Sequence, residues 1–139
     1  MVAPRPRIEK ALGPAKREIG KALRAYNTAA MTGKNDYRAL AVTIRDRGKI
    51  VGGLVAESNW GWMYISSLWV VDRHRGKGFG SALMQTAETE ARKRGVRNVF
   101  LDSFTFQAPQ FYVKLGYREY GRLKDFPVGH DRISMMKAL

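Results

Sequence analysis

The sequence predicts an α/β, or α+β, fold built on a mixed sheet. Three extended runs follow one another between residues 40 and 71 with only tight turns between them, the pattern of an antiparallel meander. A strongly amphipathic helix and a short apolar strand come next. Strand, crossover helix and strand in succession make a parallel pair, which joins the meander in one sheet flanked by helices.

After the basic start Ala3-Pro4-Arg5-Pro6-Arg7, Gly13-Pro14 sets a proline at a first helical position, where its missing N–H costs nothing. Ile19, Ala22, Leu23, Tyr26 and Ala30 recur at helical spacing, and this helix is expected to end at Thr32-Gly33. Leu40, Val42 and Ile44 alternate with Ala41 and Thr43 as in a half-buried strand. Asp46-Arg47-Gly48-Lys49 has turn chemistry, and Ile50–Glu57 can return as the antiparallel partner. Trp62–Val71, rich in aromatic and β-branched residues, is the third run. The helix that follows carries Phe79, Leu83, Ala87 and Ala91 on one stripe, with Glu88→Arg92 and Glu90→Arg94 as favourable pairs and Gly95 at its end. Asn98–Asp102 reads as a short strand, Pro109–Leu115 as a short helix stopped by Gly116, and Tyr117–Leu123 and Ile133–Lys137 as closing strands.

With 139 residues, 45% of them hydrophobic, and no repeat or linker, residues 1–139 are expected to form one domain, with 1–12 as a basic tail. The absence of cysteine excludes a disulfide framework, a thiolate metal site and a cysteine nucleophile. No run reaches the roughly 18 apolar residues of a membrane span. Met1–Leu12 lacks the apolar segment of a signal peptide, so a cytoplasmic location is the expectation and no membrane partner is foreseen. The unusual quantity is charge: 25 Lys and Arg against 12 Asp and Glu give +13, which points to an anionic partner.

Arg75-Gly76-Lys77-Gly78-Phe79-Gly80 lies between a predicted strand and the best-predicted helix. Glycines there allow positive φ and let N–H groups converge on a ligand. The helix N-terminus adds unpaired donors suited to phosphate oxygens, and Arg73, Arg75 and Lys77 add whole charges. The spacing is not that of the P-loop. A dinucleotide fingerprint would need glycine where Ser81 stands.

Leu68-Trp-Val-Val-Asp-Arg-His-Arg-Gly-Lys-Gly-Phe-Gly-Ser-Ala-Leu83 resembles the acyl-CoA-binding motif of the GNAT superfamily of N-acetyltransferases, with Arg75-x-x-Gly78-x-Gly80 at its fixed positions. One helix and one strand later, Ala108-Pro-Gln-Phe-Tyr-Val-Lys-Leu-Gly-Tyr117 resembles the family's second signature. The resemblance covers about Asp36 to Leu139. It implies a mostly antiparallel sheet with a splayed parallel pair, acetyl-CoA as co-substrate, no metal, and direct attack of an amine on the thioester.

Carried over residue by residue, the resemblance has the backbone of Leu68, Trp69 and Val70 pair with the pantetheine amides, and a backbone N–H at Val70 or its neighbour polarise the reacting carbonyl. The turn Arg75, Gly76, Lys77, Gly78, Phe79, Gly80 and Ser81 would receive the pyrophosphate. Tyr112 matches the tyrosine that protonates the departing sulfur, and also contacts the coenzyme. Where the family often has asparagine this chain has Thr105, with Gln107 nearby as a substitute contact. No motif marks the base: Glu57 and Asp102 are the candidates, with Glu119, Asp125 and His130 also near. Trp60, Trp62, Tyr64 and Trp69, with Tyr117 and Tyr120, could wall an acceptor site for a cationic or planar amine.

The expected acceptor is an amine of a small molecule or peptide. Two rival readings are a basic nucleic-acid-binding module, drawing on Arg5, Arg7, Lys10, Lys16 and Arg17, and a non-catalytic acyl-CoA binder. Basic residues spread along the whole chain disfavour nucleic acid. Lys114 or the Arg92-Lys93-Arg94 run could serve a further phosphate of the coenzyme, and the basic surface disfavours a polycationic acceptor. The apolar end Ile133–Leu139 is compatible with a homodimer.

Overall fold

The computed structural model describes residues 2–31 and 36–139. The chain falls into two compact units, Met1–Asn35 and Asp36–Leu139. The first contains α1 (Leu12–Ala30), in which Pro14 is the third helical residue rather than the first, still within the opening turn whose N–H groups have no partner in the helix. The expected stop at Thr32-Gly33 lies outside the described residues. The last described turn is closed by Met31 N–H donating to Asn27 O at 2.9 Å.

The second unit is a six-stranded sheet of β1 (Arg38–Asp46), β2 (Lys49–Asn59), β3 (Trp62–Val70), β4 (Asn98–Phe104), β5 (Arg118–Leu123) and β6 (Arg132–Ala138), with α2 (Phe79–Lys93) and α3 (Pro109–Lys114). The predicted strands and helices of this unit all form, with ends that differ by a residue or two. Their order across the sheet is β1-β2-β3-β4-β6-β5, and every neighbouring pair is antiparallel except β3 and β4. Both meander turns place two successive residues at positive φ, Arg47 (50°) with Gly48 (80°) and Trp60 (52°) with Gly61 (81°). That backbone matches the right-handed twist of paired strands.

One face of the sheet is covered by α2, which returns the chain from β3 to β4 and packs on β1, β2 and β3. Leu83, Met84, Ala87 and Ala91 meet Leu54, Met63, Ile65, Val99, Leu101 and Met135 there, all buried. Glu88 shares this buried stripe, so it does not make the surface pair with Arg92 that helical spacing predicts. Its carboxylate instead accepts from the Tyr117 hydroxyl (2.9 Å) and Lys137 Nζ (2.7 Å). The second predicted pair forms, Arg94 Nε to Glu90 at 3.2 Å.

Strand β6 inserts between β4 and β5, and this arrangement shapes the site. It holds one edge of β4 from Asn98 to Phe104, whereas β3 holds the other edge only from Asn98 to Leu101. The β3–β4 edge beyond that point is open. Among the described residues, no helix is long and apolar enough to cross a membrane.

Candidate active site

The opening begins at a bulge. β2 pairs Val55 with Ser67 and Ala56 with Ile65, leaving Ser66 as an extra residue whose hydroxyl donates to Val55 O at 3.2 Å. A bulge bends its strand and changes the side-chain parity. Met63 and Ile65 face α2 before it, and Leu68 and Val70 do so after it, as Val70 lines the Gly52 position beside Leu83. Parallel pairing with β4 ends at the same place, with Ile65 opposite Leu101.

The antiparallel ladder decides which backbone groups the gap receives. Val71 N–H donates to Val51 O at 2.8 Å, so that pair is hydrogen-bonded and its neighbours alternate. Trp69 therefore spends its N–H and C=O on β2, while those of Leu68 and Val70 face the open edge. Of the three expected backbone contributors, two are aimed at the gap. Trp69 offers its half-exposed side chain on the opposite face.

Past β3, a short turn of 3₁₀ helix at Asp72–His74 leads into the glycine segment. Gly76 (φ 74°) and Gly78 (φ 86°) occupy the left-handed region, and a Cβ at either would find nothing within 4 Å. Gly78 is the N-cap of α2, and among the described residues no side chain caps the helix. The first N–H groups of α2 are thus left for an outside acceptor. Gly80 serves packing instead. A Cβ there would stand 3.1 Å from the Phe111 ring, so its absence lets α3 close against the start of α2.

The charges near the turn divide. Arg73 and Lys77 are exposed. Arg75 is occupied, with Nε donating to Val70 O at 3.0 Å and Nη1 3.1 Å from Asp72. The Arg92-Lys93-Arg94 run is corrected as a phosphate site: it ends α2, about 20 Å from the turn at 1.5 Å per residue. Arg94 is turned inward as well, bonding Glu90, the Ser58 hydroxyl and the carbonyls of Arg38 and Ala39.

Tyr112 lies on α3, its ring 5.0 Å from Phe111 and 6.1 Å from Tyr117 by centroids. Burial raises its phenol above the ordinary value, so it keeps its proton. Tyr117 is no part of an acceptor wall. It is buried on Glu88, and burial and then that carboxylate push its hydroxyl far up. Thr105 and Gln107 are committed to the chain itself. Thr105 Oγ1 accepts from Asp131 N–H (3.0 Å) and lies 3.1 Å from His130 Nδ1, while Gln107 Oε1 accepts from Phe104 N–H (3.1 Å).

On the face opposite α2, Glu57, Asn59, Trp62, Tyr64, Phe100 and Asp102 line a cleft of about 230 Å³. Glu57 accepts from the Tyr37 hydroxyl at 2.8 Å. Asp102 accepts from Arg132 (2.7 Å), Ser134 (2.8 Å) and Tyr64 (3.3 Å). Burial works to raise Asp102, but these donors outweigh it and hold the carboxyl below its usual value. Glu119 is paired with Arg122 (2.7 Å), and Asp125 accepts from Gly129 N–H (3.4 Å), so both serve the β5–β6 connection. Trp60 sits in the β2–β3 turn, its backbone N–H donating to Asp36 Oδ1 at 3.0 Å, and Tyr120 is exposed on β5.

The model of the acetyltransferase (GNAT) family matches residues 6–117. The chain belongs to the GNAT acetyltransferase family. Acetyltransferase Atu2258 of Agrobacterium fabrum is 38% identical over 118 residues, 84% of this chain and 85% of that relative. Blasticidin-S acetyltransferase of Streptomyces morookaense is 38% identical over 95 residues, 68% of this chain and 70% of its own. A crystal structure from Agrobacterium tumefaciens, 32% identical, superposes with a TM-score of 0.90 over 99% of this chain and all of that one.

Asn59, Phe100 and Arg132 of this cleft and its border escaped sequence reasoning. The alternation of Asn98-Val-Phe-Leu-Asp-Ser-Phe104 places Phe100, Asp102 and Phe104 on one face of β4, a signal that was available. Arg132 could not be found that way, because its contact with Asp102 depends on β6 lying beside β4.

Proposed function

We propose that this GNAT acetyltransferase moves an acetyl group from acetyl-CoA to a primary amine of a small molecule or peptide, by direct attack of the amine. One observation carries this reading: the gap-facing groups of Leu68 and Val70 run, through Arg75, directly into an uncapped helix start. An extended chain of amides ending in a pyrophosphate suits that path. The strand edge offers amide partners, and the open space over Gly76 and Gly78 leaves room at the N–H groups of 76–81 for phosphate oxygens. Arg73 and Lys77 are exposed charges beside them.

Acetyl-CoA supplies the acetyl group as an activated thioester. Val70 N–H faces the gap and stabilises negative charge developing on the carbonyl oxygen. Tyr112 holds a proton on its hydroxyl, kept there by burial, and can give it to a departing thiolate. Asp102 is a weak proton acceptor because three donors already stabilise its charge. The proton released by the attacking amine passes to water, and Glu57 stands on the acceptor side, where it accepts from the Tyr37 hydroxyl. Thr105 and Gln107 act on the site by shaping the turn after β4 rather than as direct contacts.

Calorimetry with acetyl-CoA tests the reading. The native chain should bind, and Gly78→Val, which forces a β-branched residue into φ 86°, should bind at least about tenfold more weakly. No binding by the native chain, or equal binding by the variant, would overturn it.

A further inference from the structure

The cleft opposite α2 has a built interior. Glu57 of β2, Tyr64 of β3 and Phe100 of β4 form one cross-strand row, with Trp62 on the next. Phe100 lies 4.9 Å from Tyr64 and meets Trp62 edge-on at 5.7 Å, so three ring systems bound the space. Its volume, about 230 Å³, is that of several waters at about 30 Å³ each and falls short of the ~300 Å³ at which whole-ligand pockets begin. It can take one end of a molecule.

The charge inside selects which end. Arg132 neutralises Asp102 across 2.7 Å, and Arg132 also lies over the Phe104 and Phe126 rings, so it is engaged on that side. Among the described residues no cation pairs with Glu57, so it stands as a negative charge without a counter-ion on a chain whose formal total is +13. Ring faces and a carboxylate attract a cation and repel an anion. A neutral apolar group would desolvate Glu57 without return.

Position links the cleft to the chemistry. Tyr64 and Phe100 each precede by one residue the last paired residues, Ile65 and Leu101, so the cleft opens where β3 and β4 part. Tyr112 packs with the core on the α2 side. An acceptor seated in the cleft would reach the gap from the face opposite the proton donor.

We propose that the acceptor carries one cationic group besides its reacting amine, and that this group is held among Trp62, Tyr64 and Phe100 with Glu57 as its counter-charge. The inference rests on the acetyltransferase reading above. One extra charge satisfies the cleft, and the basic surface still disfavours a polycation.

The test uses the full chain saturated with CoA and two probes of one shape, n-butylguanidinium and its uncharged isostere n-butylurea, followed by Trp fluorescence and calorimetry. The cation should bind at least about tenfold more tightly. Glu57→Gln, at an exposed position that should not disturb folding, should reduce that preference below about threefold, and Phe100→Leu should weaken binding of the cation. Equal binding of the two probes, no binding of either, or a preference that survives Glu57→Gln would overturn the inference. Acetyl-CoA binding is measured on the same protein preparations before CoA is added. If it persists while charge preference is absent, the cation site alone fails; if acetyl-CoA does not bind, the acetyltransferase reading fails on its own evidence.

Discussion

Arg75 Nε donates to the carbonyl of Val70 at 3.0 Å. The arginine of the glycine motif thus ties the last residue of the splayed strand to the turn that follows it. Its pairing with Asp72 is exposed on both sides and contributes little by itself. The guanidinium matters as a planar fork that reaches two partners at once.

That geometry separates a positioning role from a simple charge. Arg75→Lys keeps the charge and loses the fork, so it should weaken acetyl-CoA binding nearly as much as Arg75→Gln, each by roughly tenfold in calorimetry. Full rescue by lysine would return Arg75 to the role of a phosphate counter-charge.

Tyr112→Phe should lower kcat by about a hundredfold, the lower range for a general acid, with acetyl-CoA affinity within about twofold of native. The raised value of the phenol gives the pH dependence its sign. A group raised in the folded state keeps its proton through its ordinary range, so the alkaline fall in kcat should not begin below about pH 10. A native profile that falls near pH 8, and does so identically in Tyr112→Phe, would remove this residue from the chemistry.

Asp102 should reveal its charge through acid stability. Its folded value is lowered, so it contributes stability that is present above the unfolded value of about 3.9 and is lost as pH falls through the folded value. Asp102→Asn should cost about 2 kcal/mol in urea unfolding at pH 7, since Arg132 and Ser134 lose a charged partner. The difference from native should shrink as pH falls below the unfolded value of about 3.9. A constant difference would mean that shape, not charge, is what Asp102 supplies.

The parts of this site that could be read in the sequence are the local ones. Val70 to Ser81 is a continuous stretch whose glycines, helix start and charges act on near neighbours, so spacing carries the information. Thr105 and Gln107 are ambiguous in the sequence because a polar side chain after a strand looks the same whether it meets a ligand or closes its own loop. Here Thr105 is spent on Asp131, far along the chain, and Gln107 on Phe104. Arg94 and Tyr117 read as surface charge and site wall, yet both are drawn inward by partners on other elements, Ser58 and Glu88. The insertion of β6 between β4 and β5 was illegible for the same reason: strand order is a tertiary choice, and nothing in Arg132–Ala138 names its neighbours.

Glu88, Tyr117 and Lys137 join α2, the connection between α3 and β5, and β6 in one largely buried group, and its energetics can be taken apart. Lys137→Met leaves the Glu88 carboxylate, 5% exposed, with the Tyr117 hydroxyl and no counter-charge, at a cost of about 3–5 kcal/mol. Tyr117→Phe removes one bond to a charged acceptor and should cost about 2 kcal/mol. Replacing both ions by apolar residues removes the desolvation that the pair must offset, so Glu88→Met with Lys137→Met, made in Tyr117→Phe so that no buried hydroxyl loses its acceptor, should recover most of the loss that Lys137→Met causes in that background. Urea unfolding of the single and double variants measures this coupling directly. A double variant no more stable than Lys137→Met in the same background would show that the carboxylate was never the burden, and that Lys137 stabilises through its stem over the Tyr117 ring, 5.6 Å from the ammonium.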